Sequence, residues 1–289
     1  IPYFTDDGLG LGYDVFYRET NAEDANLAIF ETKEVGLSLG LTIPVTEHNT
    51  ISTSLGYTNT EISTTTGTSF QITNFINNNG SQYDILKFRT AFAYDTRNKA
   101  VLPDKGALQR ISAAVSLPGF GDSLEYYKLN YEAKWFKDLY NEDFILVLGG
   151  KFGYGDSYGD TTQLPFFENF YAGGPRTLRG YEENTLGPRD STNRALGGDT
   201  RILANAEIIL PVPFLADYKN SVRLTTFIDA GNVFGANEDV SFGDMRYSAG
   251  LSAIWISPFG AISASIAQPF GDEPTDEIQN FQFTFGTSF

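Results

Sequence analysis

The 289-residue sequence contains no cysteine, one histidine and one methionine. The first absence removes disulfides, thiolate metal sites and cysteine nucleophiles. The second leaves His48 alone in a turn-like stretch, TEHNT, with no plausible Ser-His-Asp triad and no metal site. Cations are scarce: 20 Lys and Arg stand against 36 Asp and Glu, a net charge of −16, the reverse of a nucleic-acid binder. No stretch approaches the roughly 18 continuous apolar residues of a membrane helix. The opening residues lack the basic and apolar regions of a signal peptide, so none is expected. Two motif-like segments also fall short. FGYGDSYGDT (152–161) lacks the spacing and closing Glu of a calcium loop, and GLGLGYD (8–14) has no helix after it to receive a phosphate. No metal, no cofactor and no enzymatic activity are expected.

What is abundant is aromatic: 24 Phe and 16 Tyr, alongside 29 Gly. Such a mixture suits strands, and the pattern is period two. Leu9, Leu11, Tyr13, Val15 and Tyr17 interleave with glycine and charge; Val35, Leu37, Leu39, Leu41 and Ile43 do the same. The alternation recurs at 51–57, 86–94, 111–117, 127–135, 144–154, 201–210, 222–231, 247–255, 261–267 and 281–289. Roughly twelve strands of about nine to eleven residues follow, the length that crosses a bilayer at a tilt. The connections alternate too. One rim has mostly short ones, such as SPFG (257–260), and the other longer loops rich in Asn, Thr, Gly and Asp, such as 58–82 and 155–200. One strand face is aromatic and aliphatic. The other carries Lys87, Arg89, Lys128, Glu132, Glu207, Arg223 and Asp229. Soluble sandwiches also alternate, but they do not need a dozen strands of membrane-spanning length. The fold expected is all-β, a single transmembrane antiparallel β-barrel domain over residues 1–289, with its apolar face in lipid.

Within the loop 155–200, GGPRTLRGY (173–181) places an arginine among residues of special backbone freedom. Arg179 is either a solvated loop cation or an anchor that folds into the lumen. In the second case its partners are Glu207 and Asp229, both on the polar phase of the strands that follow.

The segment FFENFYAGGPRTLRGYEENTLGPRD (166–190) resembles the sixth extracellular loop of the BamA-type outer-membrane insertases, with Leu178, Arg179, Gly180 and Tyr181 matching their [V/L]RG[F/Y] motif. The wider superfamily includes TamA and two-partner secretion transporters such as FhaC. The likeness runs from PYFTDDG (2–8) through SVRLTTFIDAGNVFG (221–235) and ASIAQPF (264–270) to FQFTFGTSF (281–289). It implies that Arg179 contacts Glu207 and Asp229 inside the barrel, beside Phe227. It implies that the last strand, with Phe281, Phe283, Phe285 and Phe289, belongs to a lateral seam, with a kink at Gly286. It further implies a location in the bacterial outer membrane. The implied function is insertion of other β-barrel proteins, with nascent outer-membrane barrels, accessory lipoproteins bound through periplasmic domains, and outer-membrane lipid as partners. The alternative is a secretion transporter or porin-like channel.

In the family, PYF-xDG ends the fourth strand of sixteen. The resemblance therefore implies that the first four strands and the periplasmic POTRA domains are not in this sequence. Two free edges in lipid are costly. Strands 9–18 and 280–289 are accordingly expected to pair, giving a closed barrel of about twelve strands.

Overall fold

A computed structural model describes residues 4–5, 8–119, 121–140, 144–211, 221–236 and 238–286. Period-two patterning builds its strands: β1 (Gly10–Asn21), β2 (Glu31–Pro44), β3 (Asn49–Ser63), β4 (Gln82–Asp95), β5 (Gly106–Leu117), β6 (Tyr126–Tyr140) and β7 (Phe144–Ser157). A two-residue strand, β8 (Gly180–Tyr181), lies within the long loop that follows. The sheet resumes with β9 (Thr200–Leu210), β10 (Val222–Phe234), β11 (Arg246–Ser257) and β12 (Gly260–Phe270). The short β13 (Ile278–Gln279) pairs with β8, and β14 (Phe281–Gly286) ends the order. Apart from β8 and β13, the twelve strands form one antiparallel sheet in chain order. Most run to 12–15 residues, longer than the alternation alone indicated, and so project beyond the bilayer. Among the described residues, no helix is long and apolar enough to cross a membrane.

Register assigns the faces. Leu39 opposes Leu55, Leu55 opposes Phe88, and Phe88 opposes Val115, so the apolar side chains form continuous rows on one face. Leu37, Leu39, Phe88, Phe92, Tyr131, Trp135, Leu148, Leu251 and Phe283 are all exposed there, as a lipid-facing surface requires. The opposite face curves around a lumen. The loop 158–199 reaches Lys87 on β4, Lys128 on β6, Asp229 on β10 and Gln282 on β14, all on that face. A flat sheet could not present strands so far apart in order to one loop.

The expected pairing of the first and last strands is not found among the described residues. Among the described residues, β1 pairs with β2 alone and β14 with β12 alone. The loop instead contacts the connections beside the two edges. Asn26 donates to the Glu183 carbonyl at 3.2 Å and Ala28 N–H to the Ala195 carbonyl at 2.9 Å on the β1 side. Glu182 N–H donates to the Glu277 carbonyl at 2.8 Å on the β14 side. Asn26 and Ala28 belong to the β1–β2 connection and Glu277 to the β12–β14 connection, so the loop ties the two connections at the long-loop rim.

One element was not anticipated. Helix α1 (Phe70–Asn79) occupies the connection between β3 and β4, which its Asn- and Thr-rich composition marks as loop. Ile72 and Phe75 bury one side of it in a cluster with Phe30, Tyr83, Tyr126 and Phe166 at the long-loop rim.

Candidate functional site

Glu207 on β9 and Phe227 on β10 are direct cross-strand partners, and Asp229 lies two positions along from Phe227 on the same lumenal face. Arg179 descends onto this patch. Its Nε donates to Asp229 Oδ2 at 2.7 Å, and its Nη2 to Asp229 Oδ1 at 2.6 Å and Glu207 Oε1 at 2.8 Å. Its own backbone N–H also donates to Asp229 Oδ2 at 3.1 Å. The guanidinium carbon lies 3.4 Å from the centre of the Phe227 ring, a close cation–π contact. Asp229 is 1% exposed and Phe227 2%, so this charge pair is withdrawn from water. Burial alone would lower the arginine's pKa, but Asp229 and then Glu207 hold it above its usual value. Asn205, two positions from Glu207, donates to Glu207 Oε1 at 3.1 Å. Space for Asn205 comes from Gly149 opposite, where a Cβ would lie 1.9 Å from the Asn205 side-chain oxygen.

The rest of the motif is seated as tightly. Leu178 is fully buried with Ala172, Tyr181, Leu186, Leu203 and Val233. Gly180 has φ +91°, and a Cβ there would meet Ala267 and Pro269 on β12 at 3.1 Å. Tyr181 is fully buried and donates its hydroxyl to the Tyr247 carbonyl at 3.1 Å. Gln282 of the last strand completes the contact. Its Nε2 donates to the Tyr181 carbonyl at 2.7 Å, and its Oε1 accepts from Gly180 N–H at 3.3 Å. Sequence reasoning picked out the phenylalanines of this strand and overlooked Gln282. Its position on the polar phase between Phe281 and Phe283 was the available signal.

Phe281, Phe283 and Phe285 are exposed on the lipid face. Gly286 still pairs with Ala261, so β14 keeps its register through that residue. Phe289 lies outside the described residues, and so does any inward turn beyond Gly286.

Two further lumenal anchors went unforeseen because each joins a strand residue to a partner in a connection, which period-two patterning does not report. Glu168, on the incoming arm of the loop, accepts from Lys87, from Lys128 at 3.2 Å and from the Tyr126 hydroxyl at 2.7 Å. Burial pushes this carboxyl up, but Lys87 and then Lys128 outweigh it and hold its pKa at about 2. At the short-turn end, Arg223 on β10 reaches across to the turn 96–105. It donates to the Pro103 carbonyl at 2.8 Å, to the Leu102 carbonyl and to Asp104. Asp104 is held below the usual carboxylate range: burial opposes this, and Lys99 and Arg223 prevail.

Residues 1–289 match the Omp85 superfamily domain. The outer membrane protein assembly factor BamA of Neisseria meningitidis is 32% identical over all of this chain, which spans 40% of that protein. The sorting assembly machinery 50 kDa subunit of Saccharomyces cerevisiae is 27% identical over 68% of the chain, which covers 42% of it. The crystal structure of BamA from Haemophilus ducreyi lacking POTRA domains 1–3 superimposes with a TM-score of 0.88 at 28% identity, over 100% of this chain and 60% of that one. The chain therefore spans about half the length of these relatives. With the family model matched from end to end and a loop motif docked on β9, β10 and β14, the chain belongs to the Omp85 superfamily.

Proposed function

We propose that this chain is the barrel portion of a bacterial outer-membrane protein insertase, which folds and inserts nascent β-barrel proteins. The observation that carries the reading is the tie between the loop motif and the last strand through Gln282. In that reading the last strand is one side of a lateral seam, and weak pairing there leaves an edge. In hydrocarbon every backbone donor and acceptor needs a partner, so such an edge favours strand addition. An incoming strand adds by backbone hydrogen bonds, with no covalent step, and the role is non-enzymatic and cofactor-free. Accessory lipoproteins and outer-membrane lipid are the further partners of this reading; nucleic acid is not.

Replacement of the chromosomal copy in a depletion strain by the full-length gene tests it. Restored levels of other outer-membrane barrels support the insertase. Ion conductance or export of a partner polypeptide without such restoration would identify a porin-like channel or secretion transporter instead.

A further inference from the structure

The long loop fills only part of the lumen. Between β1–β6 and the loop lies a cavity of about 790 Å³. Its charge runs against that of the chain as a whole: Arg18, Lys87, Arg89, Arg110 and Lys128 line it, against the carboxylates Glu34 and Glu168. The carboxylates are already engaged. Glu168 sits between Lys87 and Lys128, and Glu34 lies 3.4 Å from Arg18. Arg89 and Arg110 have no carboxylate partner among the described residues, in a chain with 36 acidic side chains. Both project from the lumenal face, on adjacent strands: Arg89 opposes Ala114, and Arg110 opposes Ala93, four positions further along β4. The Arg89 guanidinium lies over Gly56, where a Cβ would be 3.5 Å from its Nη1. Small hydroxyl and amide side chains, Ser54, Ser112 and Asn130, line the wall beside them.

We propose that this cavity binds a small multivalent oxyanion, held by Arg89 and Arg110 with the serine and asparagine side chains as secondary donors. Guanidinium forks match carboxylate and phosphate geometry. The inference is independent of the insertase reading.

The test is calorimetric titration of the full-length protein, refolded in detergent, with sodium pyrophosphate and, separately, with sodium citrate. Saturable binding that weakens as salt rises is expected, with affinity reduced at least tenfold in the double variant Arg89→Gln, Arg110→Gln. Pyrophosphate binding alone identifies a phosphate ligand. Equal binding of citrate shows that the site takes polycarboxylates as well. Arg97→Gln serves as control, since Arg97 is paired with Asp95 at the opposite rim. Heat-modifiable gel mobility verifies that each variant is folded, and the two single variants are titrated beside the double. Absence of binding by both anions, or equal affinity in the folded double variant, overturns the proposal.

Discussion

At the scale of single residues, three arginines with one charge have three different situations. Arg179 has two carboxylates and an aromatic face, Arg223 has a carboxylate and two carbonyls, and Arg89 has no ionic partner among the described residues. Removing one side of a buried pair leaves the other charge without compensation, at a cost of roughly 3–5 kcal/mol. Arg179→Glu is therefore expected to lower the unfolding free energy by that order in urea titration of the refolded protein. Phe227→Leu removes only the ring beneath the guanidinium, and a smaller loss of about 1–2 kcal/mol is expected. Glu168 supplies a pH dependence. Its folded pKa of about 2 lies below the ordinary value of 4.5, so its contribution is complete above about pH 4.5 and is lost as pH falls toward 2. The stability difference between wild type and Glu168→Gln should accordingly shrink between pH 7 and pH 3. An unchanged difference would show that Glu168 is not held by its lysines.

At the scale of elements, β10 is the organising strand. Its lumenal face carries Arg223, which holds the turn 96–105, and Asp229, which holds the long loop, so segments from opposite rims meet one strand. The loop depends on backbone conformations at particular glycines. Gly173 has φ +104°, and a Cβ there would lie 2.2 Å from the Glu182 carbonyl oxygen, a backbone atom. Gly173→Ala is thus expected to dislodge the loop, seen as faster protease cleavage within 158–199, whereas Gly12→Ala, with only a distant carbonyl 4.0 Å away, leaves cleavage unchanged. The strands and their faces were legible because alternation is a local signal. The pairing of Arg179 with Glu207 and Asp229 was legible only as one of two options until the loop resemblance favoured it. Helix α1 was hidden by QITNFINNN, whose apolar periodicity rests on Ile72, Phe75 and Ile76 alone.

At the scale of the whole molecule, sequence argued for closure of the sheet on itself, from the cost of unpaired edges. What it could not reveal is that the loop holds the chain beside both edges, through Asn26 and Ala28 in the connection after β1, Glu277 in the connection before β14 and Gln282 on β14. Cysteines at Asn26 and Glu183 should cross-link within one molecule under mild oxidation. Cysteines at Val15 and Phe283, on the two edge strands, should not. Efficient intramolecular cross-linking of the second pair would restore the closed twelve-stranded barrel.

Under the proposed insertase reading, the loop locked to β10 through the Arg179–Asp229 pair takes part in inserting barrel proteins. The most direct test of that role is the rate at which a model outer-membrane barrel folds into proteoliposomes containing the full-length protein. Four versions are compared: wild type, Arg179→Glu, Asp229→Arg, and the charge-exchanged double variant. Each single variant is expected to slow assembly at least tenfold, and the double variant to recover part of the rate. Single variants that fold normally and assemble substrate at the wild-type rate would contradict it.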